Sequence, residues 1–256
     1  MYTDEQFDQL EQDEYSTTEE ALALSLLSLG LSHDEIEKVI RTFYQKYGKD
    51  GVVTYQNVRK WVNDKDHRKR LTVLFSTIGD TFDAAFVKLR NEFRTHLREV
   101  VSMELDFFDM LDGEIDIDEI LDLAWGVDDL NWEQRLLAYQ DRWASVICND
   151  LKTSFLKRKS IIEVLKDLDK RYISMEKILW RLYVTESTAI GSLARKQIFK
   201  KLNIKKYRFF AREDERTCEH CGSLHGLIFP MTAYEVGVTA SPIHAHCRCW
   251  EVPIMD

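Results

Sequence analysis

Cys218 and Cys221 form a Cys-x-x-Cys pair within DERTCEHCGSLHG, residues 214–226, and IHAHCRC at 243–249 brings His244, His246, Cys247 and Cys249. Thiolates and imidazoles are the donors that bind zinc, and a structural zinc takes four of them in a tetrahedron. A Cys-x-x-Cys turn delivers two sulfurs to one ion. The second pair then comes from the distant segment, here after a spacer of 22 residues from Cys221. His244 and Cys247 form His-x-x-Cys, while Cys247 and Cys249 share a face if the segment is a strand, because strand side chains alternate. The spacing assigns a structural Zn2+ to Cys218, Cys221, His244 and Cys247, with Cys249 the substitute for either of the last two. His220, His225 and His246 are read as exposed or supporting groups.

Catalytic uses of these residues fail on their surroundings. Deamination at zinc needs His-x-Glu shortly before Pro-Cys-x-x-Cys. The string HDE at 33–35 lies roughly 180 residues upstream, and Thr217 stands where the proline belongs. A thioredoxin-type use of CEHC needs a βαβ setting that the sequence does not show. LDGEIDIDE and GKDGVVTY look like calcium loops, but aligning their glycines places Phe108 and Met110, or Lys46, at positions that require oxygen ligands. No phosphate-binding Gly-x-x-x-x-Gly-Lys-Ser/Thr loop and no Gly-x-Ser-x-Gly elbow occurs. The chain is read as a non-enzyme with no small-molecule substrate; a nuclease or toxin-like enzyme using the histidine-rich cluster is the catalytic alternative.

The 256 residues are 45% hydrophobic and 31% charged, with ten glycines and three prolines, the balance of a folded, helix-rich protein. No run nears the roughly 18 apolar residues of a membrane span, and MYTDEQFDQLEQDEY is acidic where a signal peptide is basic and then apolar. The reading is a protein made in a cytoplasm, with no membrane partner. In that reducing setting four cysteines crowded into 218–249 favour metal over disulfide, and Cys148, alone in an apolar helical stretch, is read as packing. The net charge of -9 conceals a division, since residues 151–216 hold 18 Lys and Arg against 8 Asp and Glu. There KKLNIKKYRFFAR interleaves Lys200, Lys201, Lys205, Lys206 and Arg208 with aromatic rings, a pattern able to grip double-stranded DNA or an acidic protein surface. A DNA-binding zinc module without other roles is therefore a further alternative.

These residues need elements to position them. Residues 1–17 are acidic, lack a basic residue and hold few apolar ones, which predicts a mobile tail. A helical body is expected over 18–201: a helix stopping at Gly30, one capped by Ser32 and stopping at Gly48, and a piece reaching about 63. Further helices are expected over 66–101, from about Asp116, and over 132–156, 160–169 and 174–201. Beyond Leu202 the texture turns to short aromatic and β-branched runs, and all three prolines lie there. The expected fold is mainly α, an extended helical body followed by a small zinc-clasped α/β, β-rich module over 202–256.

VTEST, DERTCEHCGSLHG and PIHAHCRCWEVP, in that order, resemble the phage head morphogenesis family, the Mu F-like minor head proteins of tailed bacteriophages. Thr185, Glu186, Asp214, Arg216, Thr217, Cys218, Cys221, Leu224, Gly226, Pro242, His244, Cys247, Arg248, Cys249 and Trp250 fall on the family pattern. Val184, Phe209 and Ala245 depart from it, where arginine, tryptophan and proline are usual. The specific resemblance spans residues 184–252, and FYQKYGKDGVVTYQNVRKW resembles a helix and turn in the N-terminal part of such proteins. It implies a minor capsid protein, made in the host cytoplasm and located in the virion at the capsid interior. The same resemblance implies association with the portal protein and support for procapsid assembly and for the packaging or ejection of DNA.

Overall fold

The structure, a computed structural model, describes residues 3–53, 65–111 and 113–255. Its helices are α1 (Asp4–Tyr47), α2 (Lys65–Phe107), α3 (Ile117–Leu121), α4 (Trp132–Leu156), α5 (Ile161–Lys201) and α6 (Glu219–Leu224). Its strands are β1 (Lys206–Phe210), β2 (Ile228–Pro230) and β3 (Trp250–Ile254), antiparallel in the order β2-β1-β3. The protein is thus mainly helical with a small sheet near its C-terminus. The helical piece expected up to residue 63 lies outside the described residues.

Two expectations about helix boundaries are corrected. Residues 4–17 are not an unstructured tail but the first turns of α1. Thr3 and Gln6 form a reciprocal capping box, with Thr3 N–H donating to Gln6 Oε1 at 2.8 Å and Gln6 N–H to Thr3 Oγ1 at 3.2 Å. Phe7 and Leu10 are buried, so the few apolar residues of this segment suffice to dock it. The stops at Gly30 and near 170 are also overridden, because each lies inside one long helix. Ser32, expected as a cap, bonds back to Leu29 O at 2.7 Å and meets Tyr172 Oη at 3.0 Å. Packing thereby outweighs the roughly 1 kcal/mol cost of a mid-helix glycine.

The chain forms two compact units. One, Leu24–Asn91 with Leu136–Ile178, draws its regular elements among the described residues from α1, α2, α4 and α5. Its core repeats at helical spacing: Ile36, Ile40 and Phe43 on α1; Ile78, Phe82 and Phe86 on α2; Trp143, Ile147 and Leu151 on α4; Leu165, Leu168 and Tyr172 on α5. Ring contacts tie these helices together, with Phe43 stacked on Phe155 at 5.6 Å and Phe86 edge-on to Trp143 at 5.4 Å. Gly48 follows α1 in a conformation where a Cβ would lie 2.4 Å from the Tyr44 carbonyl oxygen, so glycine is required there. Gly48→Ala is expected to destabilise the fold by about 1–3 kcal/mol, the usual cost of forcing atoms into filled space, read as a lower urea midpoint.

The other unit comprises Met1–Ala23, Glu92–Arg135 and Leu179–Asp256, and it holds the sheet and every cysteine of the two motifs. Phe93 on α2 stacks on Tyr183 of α5 at 3.9 Å and meets Trp132 edge-on at 5.5 Å. A run of rings, Phe108, Phe199, Tyr234 and Tyr207, continues from the helices to the sheet, so the β-rich segment is packed on α5. The acids of LDGEIDIDE have structural duties here: Asp116 Oδ1 caps α3 through the Asp118 and Glu119 amides, and Asp118 pairs with Arg94 and Arg98.

Candidate metal centre

The first half of the cysteine motif is built by a turn. Asp214 Oδ1 accepts from Arg216 N–H at 2.9 Å, Thr217 Oγ1 accepts from Asp214 N–H at 3.1 Å, and the Thr217 hydroxyl donates to Arg212 O. Asp-x-Arg-Thr thus folds on itself and delivers Cys218 as the N-cap of α6, where Cys218 Sγ accepts the Cys221 amide at 3.3 Å. Both sulfurs of CEHC consequently face the same side.

The second half comes from the segment before β3. Cys247 N–H donates to His244 O at 3.1 Å, and His246 takes a positive φ of 61°, a tight reversal that returns Cys247 toward His244. His244 Nδ1 lies 2.8 Å from Ala245 O, a contact that places the proton on Nδ1 and directs the Nε2 lone pair away from it. That Nε2 is 3.1 Å from Cys218 Sγ and 3.2 Å from Cys221 Sγ, and Cys221 Sγ is 3.8 Å from Cys247 Sγ. Cys218, Cys221 and His244 form one group of donors able to hold a metal ion, and Cys221, Cys247 and Cys249 form another. The two groups share Cys221.

The donor set fits a metal by its chemistry and its edges. A tetrahedral zinc with sulfur ligands sets sulfur–sulfur edges of about 3.8 Å, the separation of Cys221 from Cys247. Hydrogen bonds from Cys221 and Cys249 hold the Cys247 thiol well below its ordinary range, and the same contacts with burial raise the other two. Cys221, Cys247 and Cys249 are buried with Phe209 and Ala211, and Leu224, Phe229 and Ile243 pack around them. His225 is turned to the Ala211 backbone at 3.2 Å and to the Phe210 ring, while His220 and His246 lie outside both donor groups. Cys148 sits partly buried on α4.

The basic residues divide. Lys200 and Lys206 are exposed. Lys201 Nζ donates to Glu114 O at 2.9 Å and lies 3.6 Å from its carboxylate, Lys205 reaches Asn203, and Arg208 lies 4.0 Å from Asp4 and over the Phe210 ring. Much of this stretch therefore meets partners within the chain.

Sequence reasoning missed the buried ionic groups behind the centre. Arg195 is 2% exposed, and its Nη2 contacts Glu11 and Glu104 and lies 3.7 Å from Glu14; its Nη1 lies 3.9 Å from Glu251. Glu251 also accepts from Ser241 N–H at 2.6 Å, the Ser192 hydroxyl at 3.0 Å and the Tyr234 hydroxyl at 3.0 Å. Glu11, Glu14 and Glu104 are spaced as metal ligands would be, but the guanidinium occupies the place a cation would take. Burial pushes the Glu11 carboxyl up to about 7 and raises Glu14 and Glu104 as well. The available signal was an acid inside an apolar run, as Glu251 is in CRCWEVPI. Glu186, singled out above by the family pattern, is 1% exposed and accepts from Arg135 Nη1 at 3.0 Å and from Trp125 Nε1 at 2.8 Å, partners its sequence position does not announce.

Among the described residues no helix is long and apolar enough to cross a membrane. No curated protein and no solved structure is significantly similar to the chain. Residues 147–252, which include Thr185, Glu186 and both halves of the cysteine motif, match the family described as Phage Mu protein F like protein.

Proposed function

We propose that this protein is a minor capsid protein acting in phage head morphogenesis, a structural and assembly role without catalysis. The family match over 147–252 carries this reading, because it coincides with α5, the sheet and the cysteine motifs. Its partners are then the portal protein and other components of the capsid interior, and its place is the virion after assembly in the host cytoplasm. Packaged double-stranded DNA is a weaker partner on the grounds of charge, since Lys201 and Arg208 face acids of their own chain. The test is co-purification of tagged protein with the portal from infected cells and its cross-linking in intact heads. Recovery with free DNA but never with head components would overturn it.

Within that role we assign Cys218, Cys221, His244 and Cys247 to a structural Zn2+, with Cys249 the substitute for either of the last two. Support comes from the short separations among these donors and the burial of Cys221, Cys247 and Cys249. Bound zinc supplies a cross-link that closes the segment between the two motifs. The chain's own residues do the rest: the Asp214 turn presents Cys218, and the Ala245 carbonyl orients His244. Four protein donors leave no position for a reactive water, which suits a clasp rather than a catalyst.

A further inference from the structure

α5 carries two threonines that face the ligand loop without having zinc-binding chemistry. Thr185 Oγ1 accepts from His246 N–H at 3.1 Å while its own hydroxyl donates to Arg181 O at 2.6 Å, so both of its roles are filled. Thr188 Oγ1 lies 3.1 Å from Cys247 O and 2.9 Å from Val184 O, one proton forked between helix and loop. Their targets are the two consecutive residues that set the second half of the centre. His246 is held at φ 61°, a conformation that costs a non-glycine residue strain, and Cys247 follows it into the cluster. From the opposite side Arg248 clamps Asp214 at 2.7 Å, joining the loop to the turn that presents Cys218.

We infer that Thr185 and Thr188 are positioning residues of the metal centre: they hold the His244–Cys247 turn in its ligating shape, so that zinc affinity depends on a helix that touches no metal. The inference rests on the zinc assignment above. It also gives the Thr185–Glu186 pair a shared purpose, because the next residue along α5 anchors Arg135 and Trp125 while Thr185 anchors the ligand loop. One turn of α5 thereby organises two separate loops of its unit.

Partners that support metal ligands through a second layer of hydrogen bonds typically account for 10- to 100-fold in metal affinity. The experiment measures Zn2+ affinity of the full chain by chelator competition, and the visible spectrum of the Co2+-loaded form. It compares wild type with Thr185→Val/Thr188→Val, Thr185→Ser/Thr188→Ser and Thr42→Val. Valine keeps the shape and removes the hydroxyl; serine restores it; Thr42, whose hydroxyl donates to Lys38 O on α1, controls for generic loss of a helix threonine. The expected result is an affinity roughly 10-fold or more below wild type for the valine pair, with an altered Co2+ spectrum. Recovery to within about 3-fold is expected for the serine pair, and no change for Thr42→Val. Wild-type affinity and spectrum in the valine pair would overturn the inference while leaving the zinc assignment standing. A wild-type chain that binds neither metal would overturn the assignment and the inference together.

Discussion

Cys221→Ser is expected to yield protein without metal whose residues 212–249 are cut rapidly by protease, while the far-UV helical signal is largely kept. Cys221 is 1% exposed and belongs to both donor groups, so no other single change removes as many potential bonds. The apolar cluster under α6 consists of Phe209, Ala211 and the buried cysteines, with Leu224, Phe229 and Ile243 only partly buried against it, which is too little buried surface to order the surrounding chain. Zinc binding in small modules contributes apparent free energies on the order of 10 kcal/mol, and that term disappears with the ligand. The long helices keep their own cores, which involve none of these side chains. Metal analysis of protein purified without added zinc, followed by limited proteolysis, checks both halves of the expectation. A variant with native protease resistance, or a fully folded wild type lacking metal, would contradict it.

Arg195→Met is expected to destabilise the protein by about 3–5 kcal/mol, because it leaves buried carboxylates without their cation. Glu11, Glu14, Glu104 and Glu251 surround this one guanidinium, and none of their side chains is more than 11% exposed. Urea unfolding measures the loss, and the double variant Arg195→Met/Glu104→Gln should recover part of it by removing one stranded charge. The same cluster sets a pH dependence. Burial raises the Glu11 carboxyl from its ordinary 4.5 to about 7, and Glu14 shifts in the same direction. The folded state therefore holds protons that the unfolded chain has released, and stability falls as pH rises through the window from about 4.5 to about 7. Surface carboxylates such as Asp118 and Asp214 shift the other way, so their contribution is lost only at more acid pH. Glu14→Gln should flatten the profile between pH 5 and 8 relative to wild type, with the metal contribution common to both proteins. Equal slopes for the two would reject the assignment.

Much of this architecture was legible in local patterns. The stripe from Leu74 to Leu97 on α2, the cap at Asp116, the stop at Gly48 and the start of α4 at Trp132 follow from periodicity, capping and a steric limit that act over a few residues. Thr3-x-x-Gln6 is an equally local signal that an acidic composition does not reveal. Gly30 misled for the opposite reason: glycine permits a helix end without enforcing one, and the packing of Ser32 on Tyr172, distant in sequence, carried α1 through.

The donor types of the candidate metal centre were legible in the sequence, since Cys-x-x-Cys and His-x-x-Cys are spacings within single turns. Their convergence was not. His244 reaches Cys218 because a turn at His246, held by Thr185 from another element, brings the two halves of the site within 3.1 Å. Arg195 and its four glutamates come from α1, α2, α5 and β3, and no spacing along the chain announces them. Hydrogen bonds and repeats within a helix are written at separations of three or four residues and can be read directly. Charge pairs across 184 residues, as between Arg195 and Glu11, exist only once burial has removed water and tertiary packing has chosen the partner.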